Sequence, residues 1–233
     1  MLHLNDIEFT QGSFSLVANF IIQKGARVAV IGPSGEGKST LLHGIAGFLK
    51  PTRGSIFWAG KPMPSHPGLR PLSLLFQDHN LFPHLTVFNN VAIGLNPGLR
   101  LSAPQKKQVS LALQKVGLQD QNESYPGDLS GGQRGRIGLA RVLLRERPLL
   151  LLDEPFAALG PALKDEMLEV LDNVISSNSA TALMVTHDPQ DALIFADQAI
   201  LVADGYASEP QPIRELFDDP PPALKAYLGN RTQ

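Results

Sequence analysis

The chain has 233 residues, 43% of them hydrophobic and 18% charged, enough for one sizeable core. Its formal net charge of -2 excludes bulk electrostatic attraction to nucleic acid or anionic lipid, and a sequence with no cysteine excludes disulfides, thiolate metal sites and a cysteine nucleophile. The start, Met1 to Asp6, lacks the basic-then-apolar pattern of a signal peptide, and no apolar run approaches the roughly 18 residues of a membrane-spanning helix, so membrane association is expected only through a partner.

In chain order, the opening third reads as strands. Phe14–Ile22 and Arg27–Ile31 are rich in β-formers and bracket a turn at Lys24-Gly25. A strand running into a glycine loop then gives way to a helix over Lys38–Phe48, stopped near Pro51. Ser55–Ala59 is a short strand between two glycines, residues 60–71 form an extended surface loop carrying Pro62, Pro64, Pro67 and Pro71, and Leu72–Phe76 is an apolar strand ending at Gln77. From residue 88 to 147 the texture becomes helical. Ser102 and Gln105 form a capping box ahead of Val109, Ala112, Leu113 and Val116 on one face, and Ser130 opens a second helix rich in arginine.

The β/α rhythm then resumes. Leu149–Leu152 is a continuous apolar run of the kind found in buried parallel strands. A helix is expected over Ala162–Ser176 and a strand over Thr181–Thr186. Asp188-Pro189 forms an N-cap and first-turn pair for the next helix, followed by a strand at Ile200–Ala203. Pro220-Pro221-Pro222 reads as a non-helical break before a short tail. This alternation predicts an α/β fold with a mostly parallel sheet covered on both faces, and the helical block at 88–147 as a lobe inserted in one domain whose core spans 1–87 and 148–233.

Chemistry concentrates at four places. Gly32, Pro33, Ser34, Gly35, Glu36, Gly37, Lys38, Ser39 and Thr40 satisfy the pattern G-x-x-x-x-G-K-S/T between a strand and a helix. The glycines let consecutive backbone N–H groups converge on a β-phosphate, Lys38 reaches the β/γ-oxygens and Ser39 ligates Mg²⁺. The apolar strand from Leu149 ends in Asp153, placed to hold Mg²⁺, and Glu154 can polarise an attacking water as general base. Such acidic residues commonly cap a following helix, and the glycine loop is what tips the reading toward a nucleotide site. Gln77 and His187 each sit just past a strand end. A lone glutamine or histidine there is ordinarily a surface or structural residue; beside a nucleotide, Gln77 can contact Mg²⁺ or water and His187 a γ-phosphate. Finally, Leu129-Ser130-Gly131-Gly132-Gln133 opens a helix with both a capping box and uncovered N–H groups suited to an anion.

Taken together, the loop at 32–40, Gln77, the 129–133 motif, the strand at 149–155 and His187 resemble, in order and spacing, the ATP-binding subunits of ABC transporters. The resemblance covers nearly the whole chain. It implies a RecA-like P-loop NTPase core with an N-terminal antiparallel β subdomain and an inserted α-helical subdomain, ATP and Mg²⁺ as cofactors, and a head-to-tail homodimer. In that dimer Lys38, Asp153, Glu154 and His187 of one copy face Ser130, Gly131, Gly132 and Gln133 of the other. The implied partners are a transmembrane permease, reached through the Gln77 loop and the helical lobe, and a periplasmic solute-binding protein, with no nucleic acid; the implied place is the cytoplasmic face of the inner membrane. The family's adenine-stacking aromatic, counted back from the glycine loop, falls on Phe9, with Phe14 as rival.

Within the family, residues 74–102 and the short chain resemble the branch that imports thiamine, which implies transport of thiamine or its phosphates. Chromosome-maintenance relatives carry a long coiled coil, and translation-factor relatives join two cassettes; the sequence has neither feature. Two departures stand out. Gly160 occupies the place where the family usually has an aspartate that helps couple the two sites, and Glu36 lies in the phosphate loop where a small residue is more usual.

Overall fold

Strand residues with alternating burial form one flank of the sheet, and uniformly buried strands form the other. The computed structural model describes residues 1–76, 80–157 and 159–228. At the antiparallel flank, β1 (Leu2–Gln11) pairs with β2 (Phe14–Ile22) and with β4 (Arg53–Trp58), and β5 (Lys61–Pro62) adds an edge. In β2, Leu16, Ala18, Phe20 and Ile22 face the core while Val17, Asn19 and Ile21 face outward, the period-2 pattern of a half-covered sheet. The parallel flank comprises β3 (Arg27–Ile31), β6 (Leu72–Leu75), β7 (Leu149–Asp153), β8 (Thr181–Val185) and β9 (Gln198–Ala203), ordered β9-β3-β8-β7-β6. The short strand β10 (Tyr206–Ala207) joins the flanks by pairing with both β2 and β9, and β11 (Gln211–Pro212) pairs with β9.

Eight helices cover this sheet among the described residues: α1 (Lys38–Ala46), α2 (Val87–Ala92), α3 (Ala103–Lys115), α4 (Gly131–Leu144), α5 (Pro161–Asn178), α6 (Pro189–Phe195), α7 (Ile213–Asp218) and α8 (Pro222–Leu228). Every residue of β7 and β8 is buried, and successive residues serve different cores. Leu149, Leu151, Leu183 and Val185 join α1 and the antiparallel flank. Leu150, Leu152, Ala182 and Met184 join the cluster that contains Val91 of α2, Leu113 of α3, Ile137 of α4 and Leu171 of α5. The helical block is therefore packed on one face of the sheet rather than around a core of its own.

Side-chain caps fix several helix starts where the sequence places them. Ser102 and Gln105 bracket the start of α3 reciprocally, and Asp188 accepts from Gln190 N at 2.9 Å to open α6. At the far end of α1, buried Arg70 donates to the carbonyls of Gly44 and Ile45 and, through Nε, to Pro64 at 2.8 Å. A guanidinium fits a helix C-terminus because it satisfies orphan carbonyls and complements the dipole. On α4, Arg141 donates to the backbone of Asn80 and Asn90, and burial lowers its pKa to about 10. It ties α4 to α2 and to the loop before it.

Three boundaries differ from the sequence reading. The proline-rich stretch 60–71 contains β5 and a 3-10 turn at Pro67–Leu69. The helix expected to Phe48 ends at Ala46, because Gly47 adopts φ 90 and closes it with a left-handed cap. The non-helical break expected over all three prolines stops at Pro221: Pro222 occupies the first turn of α8, where its missing N–H costs nothing.

Candidate active site

Register brings the site together. β3 pairs with β8 from Arg27↔Ala182 to Val30↔Val185, and β7 pairs with β8 up to Asp153↔Val185. The carboxyl ends of three neighbouring strands therefore lie side by side, and the loops leaving them carry Gly32–Gly37, Glu154 and His187. Ligands in open α/β sheets bind at such strand ends.

The phosphate loop is shaped by its glycines. Gly32 adopts φ 144, and a Cβ there would lie 2.0 Å from the carbonyl oxygen of Val202, so only glycine lets the loop pass β9. Gly37, at φ 99, caps α1. Lys38 is 9% exposed and folds back along the loop, donating to Gly32 O at 2.8 Å and Pro33 O at 2.7 Å. Burial lowers its pKa, opposed by the charges of Glu154, Asp153 and Glu36. Glu36, the unusual residue in this loop, accepts from Asp204 N at 2.8 Å. Its carboxylate is thus engaged by the turn between β9 and β10, although its charge still reaches Lys38.

Across from the loop, Ser39 Oγ donates to Asp153 Oδ1 at 3.2 Å, linking the first turn of α1 to the end of β7. Burial raises the pKa of Asp153, with the Ser39 hydrogen bond opposing. A hydroxyl and a carboxylate converging at a part-buried spot are the hard-oxygen donors that suit Mg²⁺, which takes few protein ligands and completes its octahedron with phosphate oxygens and water. Among the described residues no cluster of three or more His, Cys, Asp or Glu forms a metal cage.

Glu154 adopts φ 47, held by its N–H donating to Val185 O at 3.0 Å. Its Oε2 lies 3.2 Å from Nδ1 of His187, whose side chain is 62% exposed. The two residues placed separately in the sequence thus form one carboxylate–imidazole pair. Its surroundings were not legible in advance. Lys164 on α5 pairs with Asp188 at 2.9 Å and Asp191 at 2.6 Å, and Tyr227 Oη donates to His187 O at 2.6 Å. The Asp188-Pro189 cap signalled one of these groups; nothing near Tyr227 signalled its destination.

In the 129–133 motif Leu129 is buried and Gly131, Gly132 and Gln133 are half-buried. Ser130 is exposed; Gln133 N donates to its Oγ at 3.3 Å, and Gln133 Oε1 accepts from Ser130 N at 2.9 Å. Among the described residues, no hydrogen bond joins this motif to the loop at 32–40. Phe9 corrects an expectation: it is 0% exposed, its ring packed against Gly44 of α1, so no face remains for an adenine. The rival, Phe14, is partly exposed with its ring at Gly37. Gly160 is the N-cap of α5 and supplies no side-chain cap; a Cβ there would meet nothing within 4 Å. Gln77, expected as a Mg²⁺ and water contact, lies outside the described residues, as does Ala158.

Comparison with known proteins agrees with this geometry. Residues 17–157 match the family described as ABC transporter. The thiamine import ATP-binding protein of Cereibacter sphaeroides is 58% identical over 98% of this chain and 100% of its own length, and that of Shigella boydii is 46% identical over 98% and 99%. A dimeric structure of a bacterial ABC transporter cassette superposes with a TM-score of 0.82 at 28% identity, covering 92% of this chain and 99% of that one, and so does a post-hydrolysis dimer of an ATP-binding cassette bound to ADP and Pi. With phosphate loop, acidic strand end and carboxylate–imidazole pair assembled at one sheet edge, the chain belongs to the ABC transporter family as an ATP-hydrolysing cassette.

Proposed function

We propose that this chain powers import of thiamine or its phosphates through a partner membrane permease, working as a head-to-tail homodimer that closes on two ATP. The observation that carries the solute is the 58% identity, over 98% of the chain, with a protein named for thiamine import. No described helix is long and apolar enough to cross a membrane, which fits a subunit held at the cytoplasmic face of the inner membrane by its permease. A periplasmic binding protein would deliver the solute.

The chain's own residues supply the steps. Lys38, already buried in the loop, exchanges its two carbonyl partners for β/γ-phosphate oxygens. Ser39 and Asp153 would hold Mg²⁺, with Gln77 as a third contact, and phosphate charge would be neutralised by the ion held there. Glu154 takes the proton of the attacking water. Because Nδ1 of His187 faces Glu154, Nε2 is the nitrogen available to a γ-phosphate oxygen. The pre-capped motif at 129–133 offers its N–H groups to the γ-phosphate on the second copy.

The deciding experiment is reconstitution of the complex with its permease and binding protein in vesicles. Thiamine should stimulate ATP hydrolysis and enter the vesicle; stimulation by a different solute with none by thiamine would leave an importer ATPase of another specificity.

A further inference from the structure

The turn between β8 and α6 carries His187, and packing does little to fix its ring, because the side chain is mostly exposed. Beyond the contact of Nδ1 with Glu154, its position comes from the backbone. Three bonds hold that backbone and its neighbours. Asp188 N donates to Thr186 Oγ1 at 3.1 Å, Asp188 Oδ2 is tied to Lys164 at 2.9 Å, and the carbonyl of His187 itself accepts the hydroxyl of Tyr227 at 2.6 Å. The first two grip residue 188; the third grips the histidine. Tyr227 comes from α8, 40 residues further along the chain. That helix is seated by Leu224, which is fully buried, and the tyrosine ring itself packs against the same core cluster.

We infer that Tyr227 is a positioning residue for His187: its hydroxyl fixes the histidine backbone so that the imidazole stays against Glu154, in register with the reacting phosphate. The inference rests on the reading above that His187 contacts that phosphate. Burial, reinforced by the nearby charges of Asp188 and Glu154, raises the pKa of Tyr227, so the phenol keeps its proton and remains a donor. A phenol is suited to the task because its rigid ring transmits the position of α8 to a single oxygen. Small displacements of a catalytic group are costly, with about 1 Å of misplacement able to remove two orders of magnitude in rate.

The test compares Tyr227→Phe and His187→Ala with the parent in the full chain, measuring kcat, KM for Mg·ATP and the melting midpoint. Tyr227→Phe keeps the ring and removes one hydrogen bond, so the fold persists. The expected result is a fall in kcat of about tenfold with KM held within about twofold, since nucleotide binding uses Lys38 and its loop rather than the histidine turn. Parental kcat in Tyr227→Phe, beside an impaired His187→Ala, overturns the inference. So does a loss that disappears once rates are corrected for the folded fraction, or one expressed in KM alone. Full turnover in His187→Ala removes instead the reading of His187 on which the inference stands.

Discussion

The phosphate loop and the 129–133 motif are both helix starts built around glycine, yet they differ in how far one chain completes them. At Gly32–Gly37 the glycines are demanded by contacts already present, Lys38 is buried with two partners, and Ser39 is bonded to a carboxylate from another strand. At Ser130 the capping box is satisfied locally, and this exposed serine opens a 14-residue helix. The first is a site waiting only for nucleotide. Under the dimer proposed above, the second is half of a site whose other half is the phosphate loop of a second copy.

Four substitutions and one titration bear on that contrast. The largest effect should come from Glu154→Gln, which keeps shape and removes the proposed base: turnover falls by about 10²–10⁴-fold with ATP affinity retained, and the ATP-bound dimer accumulates in sedimentation. Lys38→Ala should weaken ATP binding about 10- to 100-fold, the worth of a charge-assisted contact, as read by equilibrium binding to the isolated chain. Ser130→Gly is the discriminating change. Glycine is tolerated at an N-cap for a few tenths of a kcal/mol, so the fold and ATP binding to a single chain stay as they were, while hydrolysis by the dimer drops about tenfold. An equal loss of single-chain binding would place Ser130 in the same site as Lys38 and erase the contrast.

Acidification should act next. Burial raises the pKa of Asp153 above the ordinary 3.8, so its carboxylate is protonated, and Mg²⁺-dependent binding declines, at a higher pH than for a free aspartate. Stability moves the other way: a folded pKa above the unfolded one contributes stability at low pH that is lost as pH rises through the folded value. Mg·ATP titrations and melting curves across pH 4–7 would separate the two. The smallest effect belongs to Gly160→Asp. The position has extended φ and open space, so aspartate should cap α5 and raise the melting midpoint by about 1 °C. If residue 160 also links the two sites of the dimer, the Hill coefficient of hydrolysis rises in the same variant.

Much of the fold was legible because its signals are local. The apolar run at Leu149–Leu152, the Ser102–Gln105 box and the Asp188-Pro189 pair each specify an element through neighbouring residues. What the sequence hid is long-range. Phe9 and Phe14 are chemically equal candidates for a ligand, and only the packing of β1 on α1 separates them. The triple proline reads as a non-helical break along its whole length, whereas its third proline starts a helix. Likewise, Arg70 and Tyr227 are ordinary residues until the fold carries them to a helix end and to the turn of His187.

The alternation of β7 and β8 between two clusters has a thermodynamic consequence. Leu150 and Leu151 are covalent neighbours in different cores, so neither core can loosen without disturbing a wall of the other. Heat should therefore melt the antiparallel flank and the helical block in a single calorimetric transition, with calorimetric and van't Hoff enthalpies in agreement. A fragment containing residues 88–147 alone would lack the sheet face it packs on and should fail to fold.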